Sequence, residues 1–361
     1  MSQGVFLLQF GKTENEQRAY AYLTFHLAFS IKKFNPNIHI TCLTDGTIHK
    51  FVEWQRLKSI DTFIELPTDV FEYNSKGTVN AGKIKVLAYD YIPYTECLFL
   101  DVDALALQDL QPIFDECKKA GGYYYTHIFG THKLSDGEEI PSTLWAFASD
   151  IWKHYKLNDD AVLPGTNTSI QYIRKCPESQ KLIKQIQYNF ENSLPLEKLR
   201  EQWGGGQPDE LAVSTALAKF NLTGQPPSDY MFFGNVFSDI PLSTIEENYK
   251  ILSIYGGKLF TKQIYTEWYD NLLIRYHRES GNGYSHIFKY GVYIAPFKHA
   301  GLRPVGNLNT GQKELFTPPP QMRDFTGQEN ALHQALIPIS STVQIDHTKL
   351  IQSYPSPEGR M

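Results

Sequence analysis

Cys97-Leu98-Phe99-Leu100-Asp101-Val102-Asp103-Ala104 is the stretch that decides the fold. A short, continuously apolar run marks a strand buried on both faces of a parallel sheet. This one ends abruptly in two aspartates one residue apart. In an extended backbone residues i and i+2 point to the same side, so both carboxylates reach one point beyond the strand end. Two hard oxygen donors suit Mg²⁺ or Mn²⁺, which keep open positions for the oxygens of a diphosphate. Ligands of open α/β sheets also bind outside the carboxyl ends of the strands. As a bare pattern, Asp-x-Asp is expected about once by chance in a chain this long. A strand-end aspartate also caps turns and helices. The flanking elements therefore decide between a site and a cap.

Upstream, Val5 to Phe10 reads as the first strand, followed by Gly11. Thr13-Glu14-Asn15-Glu16 is a capping-box signature, and Ala19, Leu23, Leu27 and Ile31 then recur at helical spacing. Asn35-Pro36-Asn37 stops that helix, and Ile38 to Leu43 is the next strand, ending at Thr44-Asp45. Strand, helix and strand in this order predict a βαβ unit and a parallel sheet. The unit lacks Gly-x-Gly-x-x-Gly, the usual dinucleotide fingerprint. Gly77-Thr78-Val79-Asn80-Ala81-Gly82-Lys83 has the spacing of a phosphate-binding P-loop, but Ile84 follows it where a Mg²⁺-binding Ser or Thr is needed. No buried strand precedes it either, so that pattern is rejected. Lys83 to Tyr91 reads instead as a helix with Ile84, Leu87, Ala88 and Tyr91 on one face, ended by Pro93. A lysine at its start points either at the same diphosphate or into solvent.

Downstream, Leu110 to Ala120 reads as a helix, Tyr123 to Phe129 as a strand, Asn167 to Ile173 as a strand and Glu178 to Glu191 as a helix. Trp203-Gly204-Gly205-Gly206-Gln207-Pro208-Asp209-Glu210 leads into a helix from Leu211 to Phe220, with Pro208 at its first position. Glycines permit close backbone approach to a ligand. Acids in a first helical turn are also favoured by the helix dipole alone, whatever else they do. Tyr249 to Tyr255 is a further strand ending in Gly256-Gly257-Lys258, and Ile264 to Arg278 is an amphipathic helix. From residue 298 Gly, Pro and Gln dominate and periodicity fades, so residues 1–297 form the folded domain and 298–361 an irregular extension.

Composition is that of an ordinary globular chain, with 42% hydrophobic and 20% charged residues. A net charge of −5 argues against a general polyanion binder. Cys42, Cys97, Cys117 and Cys176 show no metal-type pairing and read as reduced thiols of a cytoplasmic protein. No signal peptide opens the sequence, and no apolar stretch is long enough to span a bilayer. The 22 Tyr and 22 Phe serve as core filling or as stacking platforms for carbohydrate.

The order of these features resembles a glycosyltransferase of the GT-A fold, closest to the group that includes glycogenin and the bacterial lipooligosaccharide galactosyltransferases. The resemblance covers about residues 3 to 260 and implies a Rossmann-type, mostly parallel sheet flanked by helices. It implies that Leu100-Asp101-Val102-Asp103 holds Mn²⁺ or Mg²⁺ and the nucleotide, with Asp101 and Asp103 as the metal ligands. Lys83, with Lys85 as runner-up, matches the basic residue that opens the helix before the central strand. Gln9-Phe10-Gly11 matches the loop that cradles the nucleoside, and Asp45 a position near the base. Asn167-Thr168-Ser169 is similar to the family's Asn-Ser-Gly strand. Gly206-Gln207-Pro208-Asp209-Glu210 is similar to the segment that holds the donor sugar, which makes Asp209 and Glu210 the catalytic candidates. The family's third metal ligand is a histidine. At that distance this chain has Tyr255 followed by Gly256, Gly257 and Lys258, so only the glycines and the lysine match. His277 and His299 are the substitutes, or water and phosphate complete the shell.

The resemblance implies a glycosyltransferase that moves a sugar, with retention, from a UDP-sugar to an acceptor that is a glycan, protein, lipid or nucleic acid. A catalytically degenerate sugar-nucleotide or glycan binder competes with it, because the histidine is missing. A sugar-nucleotide nucleotidyltransferase fits less well, since Gln9-Phe10-Gly11-Lys12 is too poor in glycine for that class.

Overall fold

The apolar run is the central strand of a six-stranded sheet. The computed structural model describes residues 3–11, 13–52, 57–66, 81–137, 146–199, 207–234, 240–254, 263–279, 305–306 and 313–314. The strands are Gln3–Gln9 (β1), His39–Thr44 (β2), Thr62–Glu65 (β3), Glu96–Leu100 (β4), Ala104–Ala106 (β5), Tyr124–His132 (β6), Leu163–Arg174 (β7), Met231–Phe233 (β8) and Ile251–Ser253 (β9). The main sheet runs β3-β2-β1-β4-β7-β6, and β5-β9-β8 form a second, smaller one. In the main sheet β3, β2, β1 and β4 are parallel, while β7 runs against both β4 and β6. The sheet is therefore mostly parallel, as expected, with one reversed strand. A two-residue antiparallel pair, Val305–Gly306 (β10) with Lys313–Glu314 (β11), is all that is described beyond residue 279. The boundary expected at 297/298 thus lies outside the described residues.

The helices are Glu14–Phe34 (α1), Ile48–Phe51 (α2), Ala81–Leu87 (α3), Gln111–Lys119 (α4), Ala148–Tyr155 (α5), Pro177–Glu191 (α6), Asp209–Lys219 (α7), Leu242–Asn248 (α8) and Gln263–Glu279 (α9). They cover both faces of the sheet, and β4 shows why its sequence is continuously apolar. Leu98 and Leu100 enter one core cluster with Val5, Leu7, Leu27, Phe114 and Tyr269. Cys97 and Phe99 enter the other with Phe6, Ile84, Ile186 and Leu217. A strand packed on both faces has no polar side to alternate with. The expected capping box is present: the Glu16 amide donates to Thr13 Oγ1 (3.2 Å) and the Thr13 amide to Glu16 Oε2 (3.3 Å). Pro208 caps α7 from just outside instead of opening it, which puts Asp209 and Glu210 in the first turn. The helix read over Lys83 to Tyr91 is α3 followed by a 3₁₀ turn, Ala88–Tyr91.

The pairing of β6 with β7 carries the one large irregularity of the sheet. Thr126 is opposite Gln171, but the next residue, His127, is opposite Asn167. Thr168, Ser169 and Ile170 are thus extra residues on β7, a bulge of the kind that re-aims side chains near sites. Thr126 Oγ1 spans its mouth, donating to the carbonyls of Asn167 (2.7 Å) and Ile170 (3.0 Å). Gln171 holds it from beneath, with Nε2 on the Thr168 carbonyl (3.1 Å) and Oε1 accepting from Tyr89 (2.5 Å) and Tyr124 (2.7 Å).

Gln171 is fully buried, so Gln171→Leu strands two phenolic hydroxyls and a carbonyl in the core. Each buried polar group left without a partner costs about 1–3 kcal/mol. A clear fall in the urea unfolding midpoint is expected, equivalent to roughly 2–4 kcal/mol; an unchanged midpoint would remove the network from any role in stability.

Candidate active site

The acidic pair lies just past the end of β4, in the bend where the chain leaves the main sheet for β5. The expectation of two residues in extended backbone is corrected in this detail, since β4 ends at Leu100. Three contacts fix the bend. The Asp101 amide donates to the Ser169 carbonyl (2.9 Å), the Ile254 amide donates to the Asp103 carbonyl (2.9 Å), and the Val102 side chain is buried in the core. Val102 therefore acts as an anchor between two aspartates that are only partly buried.

Lys85 is the basic residue that meets this pair. Its Nζ lies 2.7 Å and 2.9 Å from the two carboxylate oxygens of Asp101 and 3.6 Å from Asp209 Oδ2. Of the two lysines named from the sequence, Lys85, the runner-up to Lys83, is the one placed against Asp101. Two residues apart on a helix is about 200° of rotation, so α3 presents the two lysines on different sides. Burial works to lower the Lys85 pKa, but Asp101 and Asp209 outweigh it and hold the ammonium charged. Tyr20, on α1, feels the same charges from the other side: burial, then Asp103, Glu16 and Asp101 push its phenol far above its ordinary value.

Asp209 is fixed from the bulge of β7, where Thr168 Oγ1 donates to Asp209 Oδ2 at 2.5 Å. Thr166 Oγ1 donates to the Glu210 carbonyl (3.0 Å), so β7 holds the start of α7 at two points. Gly82 lets α3 come equally close. A Cβ there would stand 2.6 Å from the Gln207 carbonyl and 2.9 Å from the Phe190 ring. The glycine of the rejected P-loop pattern is thus required for close packing of Lys85 against Asp209. Burial, then Asp209, push the Glu210 carboxyl up to about 8 against the pull of Lys85. Glu210 thus favours its protonated form, which can donate a hydrogen bond.

Those of the remaining expected residues that are described lie at the same end of the sheet. Gly11 follows β1, and its amide donates to Asp45 Oδ2 (3.1 Å). Asp45 Oδ1 accepts from the Thr47 amide (2.9 Å). Asp45 thus clamps the loops after β1 and β2 together, which is a structural task found only in the coordinates. Phe10 packs at the margin of the second core cluster. Asn167 Oδ1 accepts from the Ser169 amide (2.9 Å) and helps shape the bulge. Gly257, Lys258, Tyr255, His299 and the side chain of His277 lie outside the described residues.

Among the described residues no group of three or more His, Cys, Asp or Glu side chains is placed to hold a metal ion. Asp101 and Asp103 nevertheless suit a hard divalent ion, which completes its shell with water and phosphate oxygens. Each carboxylate oxygen has a second lone pair, so the contact with Lys85 does not bar Asp101 from a metal. Thr168, Gly82 and Lys85 are the residues that sequence reasoning underrated. The run Asn167-Thr168-Ser169 was the available signal for the first of them.

No family model matches the chain, and no curated protein matches it. Among solved structures it is similar to the galactosyltransferase LgtC in complex with donor and acceptor sugar analogues, at 13% identity and TM-score 0.45, over 79% of this chain and 99% of that one. It is similar to the apo bifunctional glycosyltransferase WbbM at 11% identity and TM-score 0.46, over 77% of this chain and 51% of that one. It is also similar to apo mouse xyloside xylosyltransferase 1 at 12% identity and TM-score 0.43, over 70% of this chain and 98% of that one. No helix among the described residues is long and apolar enough to cross a membrane.

The protonated state of Glu210 has a measurable sign. Its folded pKa lies above the ordinary 4.5, so between 4.5 and about 8 the folded chain binds more protons than the unfolded one. The stability it contributes is fully present below 4.5 and is lost as pH rises through about 8. Urea midpoints from pH 5 to pH 9 are expected to fall for the parent chain and to fall less for Glu210→Gln. Parallel profiles would show that Glu210 ionises normally.

Proposed function

We propose that this chain is a metal-dependent glycosyltransferase that moves a sugar from a nucleoside-diphosphate sugar, with UDP as the nucleotide, to an acceptor hydroxyl. The observation that carries the reading is the convergence of Asp101, Asp209 and Lys85 at the carboxyl end of the central strands. That is where an open α/β sheet binds ligands, here where the strand order turns from β1–β2 to β1–β4. The formal charges of Asp101, Asp103 and Asp209 against Lys85 leave the site negative, so a diphosphate anion is repelled unless a cation accompanies it. A divalent ion on Asp101 and Asp103 would supply that charge and stabilise the departing diphosphate.

The chain's own groups then divide the work. The turn at Gly11, held by Asp45, offers backbone close to the nucleoside, and Asn167 and Gln207 border the donor. Asp209, locked by Thr168 and Lys85, orients the sugar through its hydroxyls and opposes positive charge developing at the anomeric carbon. Lys85 and Thr168 hold Asp209 in place. Glu210, protonated, donates a hydrogen bond where a second negative charge would be costly. The bond from the anomeric carbon to the diphosphate oxygen breaks with its electrons on the diphosphate. The acceptor oxygen forms the new bond and passes its proton to the departing diphosphate oxygen. Retention belongs to this reading through the family resemblance, and the anomeric proton coupling of the product reads it directly.

Asp101→Asn with Asp103→Asn is expected to weaken Mn²⁺-dependent UDP binding by more than tenfold without loss of fold. Unchanged affinity by calorimetry would remove the metal from this bend. Asp209→Ala is expected to bind UDP within a few-fold of the parent yet lose roughly a hundredfold in transfer rate, because its contact matters chiefly in the transition state. Normal turnover in that variant would leave Asp209 as a helix-terminal acid and nothing more.

A further inference from the structure

Lys85 touches its two acids unequally. Its Nζ stands 2.7 Å and 2.9 Å from the two oxygens of Asp101, within hydrogen-bond range of both. Asp209 Oδ2, at 3.6 Å, is an ion-pair neighbour only. An ammonium carries three donors, and Asp101 takes two of them. Asp209 has the Thr168 hydroxyl as a further partner. Among the described residues no other side chain donates to the Asp101 carboxylate. Exposure follows the same division. Lys85 and Asp209 keep 11% and 14% of their side chains in water, Asp101 32%. The chain's own cation thus sits, largely buried, on the more open of the two acids.

That open acid is also one of the two assigned to a divalent ion. Each oxygen keeps a lone pair for the ion, but ammonium and ion would then face each other across one carboxylate. Burial removes the water that would screen them. Two like charges drawn to one anion weaken each other's hold, and by linkage the weakening is mutual. Lys85 cannot yield by retreating into solvent, because its ammonium is buried with its counter-charges around it. Asp209 is the acid left to it, and one carboxylate replaces two incompletely. Glu210, next in sequence, favours its neutral form and adds little charge. An arriving diphosphate is the anion that makes up the difference.

We propose that Lys85 is the resident cation of the Asp101 carboxylate and competes with the divalent ion for it, so that the ion binds weakly alone and tightly only in company with a diphosphate. The proposal rests on the transferase reading for the identity of ion and diphosphate. A lysine that only attracts phosphate has no hold on Asp101. One seated on both of its oxygens lowers the affinity for a bare ion. Reciprocity has a second consequence: once the diphosphate departs, the ammonium regains Asp101 and the ion's hold weakens. Ion and diphosphate therefore leave as they came, together.

Calorimetry on the full chain would titrate MnCl₂ alone, UDP alone, and MnCl₂ in the presence of UDP, in the parent and in Lys85→Met. Lys85→Met is expected to bind bare Mn²⁺ tighter by roughly tenfold or more. The factor by which UDP tightens Mn²⁺ is expected to shrink by a similar amount. Lys83→Met removes the same charge from the same helix and is expected to change neither. Lys85→Met is also expected to lower the thermal midpoint without metal, since Asp101 and Asp209 lose their cation. Mn²⁺ is then expected to raise that midpoint further than in the parent. Lys85→Gln, neutral and still a donor, repeats the titration if Lys85→Met does not fold. Bare Mn²⁺ affinity that is unchanged or lower in the neutral variants overturns the competition, and so does equal tightening in Lys83→Met. If the parent then still binds UDP with Mn²⁺, the transferase reading stands without it. Tighter Mn²⁺ binding in Lys85→Met, with no UDP binding in any chain, upholds the competition and sinks the nucleotide reading instead.

Discussion

A single buried ammonium sets the terms for this site. Lys85 is 11% exposed, and a charge taken that far out of water is tolerated only where opposite charges surround it. Its partners come from two places far apart in sequence: Asp101 just past β4 and Asp209 in the first turn of α7. The interaction is therefore as much a constraint on folding as a feature of chemistry. Unless α3, β4 and α7 converge, the Lys85 ammonium is left buried without compensation. Gly82 is the steric condition for that convergence, since any larger residue would press on the Gln207 carbonyl. Burial at this junction, then the neighbouring Asp209, raise the Glu210 carboxyl against the pull of Lys85.

The bulge of β7 supplies the other half of the geometry. A regular strand would direct Thr168 and Ser169 by simple alternation, and three extra residues release them from it. Thr168 then reaches Asp209 while the Ser169 carbonyl receives the Asp101 amide. An irregular segment of this kind is ordered only if its polar groups are satisfied. Thr126 and Gln171 satisfy its carbonyls, and Gln171 is itself braced by two buried tyrosines. The site thus rests on a polar layer inside the sheet, where each member would be costly if left alone.

These two devices differ in how far the sequence reveals them. Local signals are plain: the apolar run of β4, the cap at Thr13 and the helical spacing of α1 all appear where the residues place them. The acidic pair stands out because it closes an apolar run abruptly, although a strand-end aspartate also caps turns. What eludes a linear reading is anything fixed by a distant partner. Lys83 and Lys85 are indistinguishable until the face of α3 is known. The strands β5 and β8 are three residues each, too short for any periodicity to register, whereas β9 lies inside the strand read over Tyr249 to Tyr255. The bulge has no local signature, since Asn167-Thr168-Ser169 reads equally well as plain strand. Gly82 misleads outright, for its spacing from Gly77 imitates a phosphate loop while its use is contact between helices.

The small sheet explains why the acids sit where they do. Asp101, Val102 and Asp103 carry the chain from the main sheet into β5, and β5 pairs with β9 rather than with any strand of the main sheet. A chain that changes sheets must bend, and a bend between two buried strands needs an anchor and a satisfied backbone. Val102 is the anchor, and the Ser169 carbonyl and Ile254 amide take the backbone groups on either side. With the middle residue turned inward, the residues flanking it are the ones left to face outward. Those positions are held rigidly by both sheets, unlike positions on a surface loop. On the proposed reading, two carboxylates there need little further ordering before an ion or diphosphate binds. The change of sheet, rather than the Asp-x-Asp pattern in itself, is what makes the bend suited to hold a cation.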